Sequence, residues 1–91
     1  MLVELDEMKQ YLRVDFSDED SLIDTLLKTA HQLCMDVMRV TEEDSFASCG
    51  NAKTAVLYAT AYLYEHREDA DHKALTLTLR ALLFGHRQEA F

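Results

Sequence analysis

Two cysteines, four histidines and seventeen carboxylates are the residues of this 91-residue chain whose chemistry could matter, and their spacing decides whether it does. Cys34 lies beside Leu33 and Val37 in an apolar stripe, the setting of a small core residue. A cysteine nucleophile needs a neighbouring base and a polar, accessible site. Cys49 precedes Gly50 in a polar stretch, a loop thiol with no feature beside it that would lower its pKa. The two form neither a C-x-x-C pair nor a multi-disulfide framework, so reduced thiols are expected. His66, Asp69 and His72 come close along the chain but match no metal-ligand spacing, and read as solvent-facing residues of a charged loop. A phosphate-cradling loop needs clustered glycines, and Gly50 and Gly85 are isolated. The carboxylates gather at helix starts and in loops, where capping and the helix dipole account for them. The sequence predicts no catalytic residue, no cofactor and no metal site, and therefore no enzyme.

The charge balance narrows the class further. Nine Lys and Arg against seventeen Asp and Glu give a formal net charge of −8, the wrong sign for a phosphate-binding surface. Residues 1–45 hold 12 acids and 4 bases, whereas residues 46–91 hold 5 of each, so the acid is concentrated in one half. Hydrophobic residues at 48% are too many for a disordered chain, and the absence of proline suits uninterrupted helices. A chain of this length has room for one domain. Its longest apolar segment, residues 55–64 with Thr60 inside it, is about half of the ~20 residues that a membrane helix needs. The first ten residues lack the basic segment and apolar stretch of a secretory signal, so a soluble, cytoplasmic protein with no membrane contact is expected.

The elements follow from apolar periodicity. Leu5, Met8 and Leu12, with Tyr11, predict a short first helix that ends near Arg13, with Asp6 and Glu7 at its positive end. Ser17 or Asp18 is expected to cap a second helix. Its stripe of Leu22, Ile23, Leu26, Leu27, Ala30, Leu33, Cys34, Val37 and Met38 holds the helical template for more than four turns. The opposite, wet face carries Asp24, Lys28, His31, Gln32 and Asp36. Residues 41–50 read as a loop between antiparallel helices, with Phe46 its only large apolar residue.

Asn51 is expected to cap a third helix running from residue 52 to about 67, and here the stripe disappears. Ala55, Val56, Leu57, Tyr58, Ala59, Ala61, Tyr62, Leu63 and Tyr64 occupy every side, and such a helix must be covered on every side. Either part of it meets another chain, the reading favoured by so small a domain, or it is a central helix with its tyrosine hydroxyls reaching water. Beyond the charged residues 65–73, Leu75, Leu77 and Leu79 alternate like a strand, while Leu75, Leu79, Leu82 and Leu83 fit a helix. Helix is chosen, because a lone strand would leave its backbone hydrogen bonds unmade. Gly85 is a plausible C-cap before a tail of residues 86–91. The expected fold is all-α: a small bundle of about four helices, one short and N-terminal, two long and antiparallel, one short and C-terminal.

Two stretches carry a family resemblance. Leu5-Asp6-Glu7-Met8-Lys9-Gln10-Tyr11-Leu12-Arg13-Val14-Asp15 is similar to an opening "LeeLKxyLRID", and Leu63-Tyr64-Glu65-His66-Arg67-Glu68 to "lYExRe". With the acidic Ser17-Asp18-Glu19-Asp20 between them and Leu82-Leu83 and Arg87 closing the chain, the order resembles the small head-tail connector, or adaptor, proteins of long-tailed bacteriophages and prophages. Where members of that family often have a proline before the last helix, this chain has Leu75-Thr76. The resemblance implies a structural virion subunit that joins copies of itself in a ring under the portal at the capsid's DNA-exit vertex. That ring would extend the channel, take part in completing DNA packaging, and present a surface to a stopper or neck and tail completion protein. DNA would slide through it without specific binding. The expected location is the virion head-tail junction, after assembly in the bacterial host's cytoplasm. On this reading Phe46, Tyr58 and Tyr62 are candidates for the subunit interface. Arg67, a cation at the third helix's C-terminus, is expected to pair with an acid from the first half of the chain. His86, Arg87 and Phe91 are candidates for a tail that docks on the portal or neck. The alternative from a different class is a small acidic protein-binding module, an antitoxin-like inhibitor or a DNA mimic, which would stay small and titrate a basic partner.

Overall fold

The computed structural model describes residues 2–48 and 50–84, and among them five helices and no strand. These are α1 (Leu5–Leu12), α2 (Asp20–Met38), α3 (Glu43–Ala47), α4 (Ala52–Glu65) and α5 (His72–Phe84). The small all-α bundle expected from the apolar spacing is the architecture found, with one helix more than the expected four.

The extra helix lies inside the stretch read as a loop, and it changes what is buried. Phe46 sits in α3 and is fully buried, its ring edge-on to that of His31 with centroids 5.2 Å apart and planes at 81°. It is therefore a core residue and offers no surface to a neighbouring subunit. Polar flanks at residues 41–45 hide this from the sequence, because they suit a short exposed helix as well as a loop. The buried side of α2 shifts to match. Ile23, Leu27, Ala30, Cys34 and Met35 are buried together with His31, which was expected on the wet face. Leu22, Leu26, Leu33, Val37 and Met38 are only half-buried.

Helix α4 packs against all four of the others, most extensively against α2. Most of the cover that its all-round apolarity requires thus comes from within the bundle. Ala52, Ala55, Val56, Ala59, Thr60 and Leu63 are buried, Leu57, Tyr62 and Tyr64 are half-buried, and of its large hydrophobic side chains only Tyr58, at 36% exposure, stands clear. It is the central helix of the bundle. On α5 the buried residues are Leu75, Leu79 and Leu83, spaced by four, whereas Leu77 is 58% exposed, so the helical period wins over the alternating one. The Thr76 and Thr78 hydroxyls donate to the carbonyls of His72 and Ala74 at 2.7 and 3.1 Å, which keeps both donors inside the helix.

Helix ends are held differently from expectation. Neither Ser17 nor Asp18 caps α2; Glu19 occupies that position without a side-chain capping bond. Asn51 does precede α4, yet its amide Nδ2 donates across the bundle to the Leu82 carbonyl at 2.7 Å, tying the start of α4 to the last turn of α5. Helices α1 and α2 both stop at an arginine in the left-handed conformation, Arg13 with φ 62° and Arg39 with φ 60°. That position favours glycine, and a side chain there costs about 1 kcal/mol. Valines repay part of it: Val14 and Val40 donate to the carbonyls of Lys9 and Met35 at 2.9 and 3.1 Å and pack on the core. Ion pairs join α1 to its neighbours, Lys9 to Asp20 of α2 at 2.6 Å and Glu7 to Lys53 of α4. No helix among the described residues is long and apolar enough to cross a membrane. Gly85, the tail residues His86, Arg87 and Phe91, and Cys49 lie outside the described residues.

Phe46→Ala should lower the unfolding free energy by about 3 to 5 kcal/mol, a large share of the ~5 to 15 kcal/mol of a typical domain. An unchanged urea midpoint would contradict the burial of this ring.

Candidate assembly surface

The groups with reactive potential do not converge. Burial pushes the Cys34 thiol up to about 12, leaving it protonated and inert as a nucleophile at neutral pH. His66 stacks on Tyr62, ring centroids 4.2 Å apart, and its Nδ1 lies 3.0 Å from the Tyr62 carbonyl oxygen. Asp69 and His72 are exposed. Among the described residues no three His, Cys, Asp or Glu side chains are placed to hold a metal ion. The features that stand out on the described surface are apolar side chains and charge.

One cluster ties the start of α2 to the end of α4. The Tyr64 hydroxyl donates to a carboxylate oxygen of Glu19, and Arg67 Nη1 lies 4.0 Å from the other. The same Nη1 donates to the Tyr64 carbonyl at 3.1 Å, and the guanidinium lies 4.9 Å from the Tyr64 ring centroid. Arg67 thus meets an acid from the first half of the chain and one of the carbonyls left open at the end of α4. Its side chain is nearly half exposed, so the ion pair contributes under about 1 kcal/mol. The hydrogen bond to Glu19 holds the proton on Tyr64, and partial burial and the carboxylate's charge act in the same direction. Together they raise the phenol's pKa above its ordinary 10.0, against the opposing effect of Arg67.

The aromatic surface lies next to this cluster. Tyr11, Tyr58, Ala61, Tyr62, Glu65 and His66 line an open groove of about 510 Å³ between α1 and α4. Tyr62 is fixed there by the stack on His66 and by its hydroxyl, which accepts from the Asp71 backbone N–H at 3.0 Å. Tyr58 and Tyr11 are the freer walls, Tyr11 at 51% exposure. The structure thus brings the candidates Tyr58 and Tyr62 together and takes Phe46 away. Sequence reading missed Tyr11 as part of this surface and missed Phe16, which is 48% exposed in the turn before α2. A signal existed in both cases, since Tyr11 falls beside the Leu5, Met8, Leu12 row and Phe16 is flanked by Asp15, Ser17 and Asp18.

A family model described as phage gp6-like head-tail connector protein matches residues 2–85, nearly the whole chain. The chain belongs to this family of phage head-tail connectors. Comparison with curated proteins and with solved structures gives no match.

The Tyr64 contact has a pH dependence of definite sign. A phenol whose pKa is raised on folding adds stability that is complete below its ordinary pKa and is lost as the pH climbs through the folded-state value. Tyr64→Phe should be less stable than wild type near neutral pH, and the gap in urea unfolding should close above pH 10.0. A gap that widens at alkaline pH would show that Glu19 does not hold this proton.

Proposed function

We propose that the chain is the repeating subunit of a closed ring beneath the portal, where it extends the DNA channel and offers a surface to the stopper or neck protein that follows. The observation that carries this reading is the match to the head-tail connector family over residues 2–85. Such a subunit needs no chemistry, in keeping with the scattered cysteine and histidines. A formal charge of −8 suits a conduit through which DNA slides without sticking. The ring assembles in the host cytoplasm and functions at the virion's head-tail junction. In it, the groove lined by Tyr11, Tyr58 and Tyr62 is covered by a neighbouring copy, Arg67 braces the end of α4, and His86, Arg87 and Phe91 belong to a segment that reaches the portal or neck. Phe46 has no part in the contact.

Repetition around a closed circle lets a modest contact suffice. Self-repulsion between acidic subunits opposes closure, most strongly at low ionic strength. The free protein should therefore be monomeric in dilute, low-salt buffer and assemble at high concentration, at higher salt, or on its cognate portal. Native mass spectrometry across these conditions checks this: one closed stoichiometry is expected, and Tyr58→Glu should reduce it while leaving the circular dichroism spectrum unchanged. A chain that stays monomeric at high concentration, in high salt and with its portal would overturn the ring.

A further inference from the structure

Four of the eight lysines and arginines among the described residues, Arg13, Arg39, Lys73 and Arg80, have no carboxylate partner there, and two of these four share one groove. Lys9, Lys28, Lys53 and Arg67 each face a carboxylate. Arg39 and Arg80 are exposed and have no carboxylate partner among the described residues. They line the same groove, about 370 Å³ in volume, where the end of α2 meets the last turns of α5. The other walls are Val37, Met38 and Phe84, all half-buried. Arg39 is rooted in a fixed backbone, because its N–H is bound to the Asp36 carbonyl at 3.1 Å and the following residue closes the cap onto Met35. Two cations over an apolar floor would suit an occupant with two carboxylates around an apolar side chain.

The chain itself carries such a segment. In the turn before α2, Asp15, Phe16, Ser17 and Asp18 are all exposed, and neither aspartate has a cation partner among the described residues. This turn and the arginine groove stand at opposite ends of α2, which with 19 residues at ~1.5 Å each is about 28 Å long. The groove of one molecule is therefore remote from its own acidic turn.

We propose that the groove lined by Arg39 and Arg80 receives the Asp15-Phe16-Ser17-Asp18 turn of a second copy of this chain, with the aspartates pairing with the arginines and Phe16 covering Met38 and Phe84. The proposal rests on the ring reading and supplies the two faces of its repeated contact. Each copy gives its turn to one neighbour and receives that of another, a heterologous contact of the kind that closes into rings. The tyrosine groove belongs to the donating side. Tyr11 precedes Asp15 by one turn of chain, and the Tyr64 to Glu19 hydrogen bond holds the end of α4 beside the start of α2. Local attraction of this sort also sets register between subunits whose overall charges repel.

Charge reversal tests the contact in the full-length chain. Asp15→Lys with Asp18→Lys sets lysines against arginines, and Arg39→Glu with Arg80→Glu sets glutamates against aspartates. By native mass spectrometry and sedimentation, each double variant alone should associate at least tenfold more weakly than wild type. An equimolar mixture should assemble again, because every contact between unlike variants is complementary, and recovery also shows that both are folded. Closed rings formed by either variant alone would overturn the turn-in-groove contact and leave the ring reading standing. Open chains or reciprocal dimers of wild type, lost in each variant and restored in the mixture, would uphold the contact and overturn the ring. A mixture that fails to recover while wild type assembles overturns the proposal, and a wild type that does not self-associate overturns both.

Discussion

Everything else in the bundle is arranged around the burial of α4, a helix with apolar residues on every side that must be kept from water. Its buried residues are mostly short, Ala52, Ala55, Val56, Ala59 and Thr60, and short side chains let a neighbouring helix come close. Helix α2, the longest of the five, supplies the largest share of the cover, and α1, α3 and α5 fill the remaining sides. The hydroxyl of Thr60, the one polar group buried within α4, donates to the Val56 carbonyl at 2.8 Å, so nothing in this helix is left unsatisfied by its burial. Small helices such as α1 and α3 have too few turns to be stable alone. They persist because Met8 and Phe46 complete the surface that α4 and α2 would otherwise expose.

Charge is handled by pairing across elements. Lys9 with Asp20, Lys53 with Glu7, and Arg67 and Tyr64 with Glu19 each join parts of the bundle distant in sequence. Exposed pairs of this kind add little energy, and their larger effect is to determine which charges remain available. The acids of the turn before α2 and the arginines at the far end of that helix are among the charges that remain after the internal pairs are made.

The cysteine within the described residues is buried and inert, and two histidines pack on aromatic rings, His31 against Phe46 and His66 against Tyr62. Among the described residues few large hydrophobic side chains reach the surface: Tyr11, Phe16, Tyr58 and Leu77.

The all-α class, the course of α2 and α4, the choice of helix for α5 and the family were legible in the residues themselves, because periodicity and local motif are written along the chain. The apolar run of residues 55–64, interrupted only by Thr60, announced a helix covered on all sides, and Leu75, Leu79, Leu82 and Leu83 announced the last one, with Leu82 half-buried and the other three buried. What covers α4 was decided only in three dimensions. Phe46 sits in a polar stretch and His31 falls on the polar side of the α2 stripe, so each looks exposed by itself; they are buried because α3 folds back and sets one ring on the other. Asn51 looked like a cap and instead reaches Leu82, 31 residues away. Arginine at two left-handed helix ends, and the partnership of Arg39 with Arg80 in one groove, likewise have no local sequence signature. Periodicity encodes which way a side chain points from its own helix, and only packing decides whether another element stands in that direction.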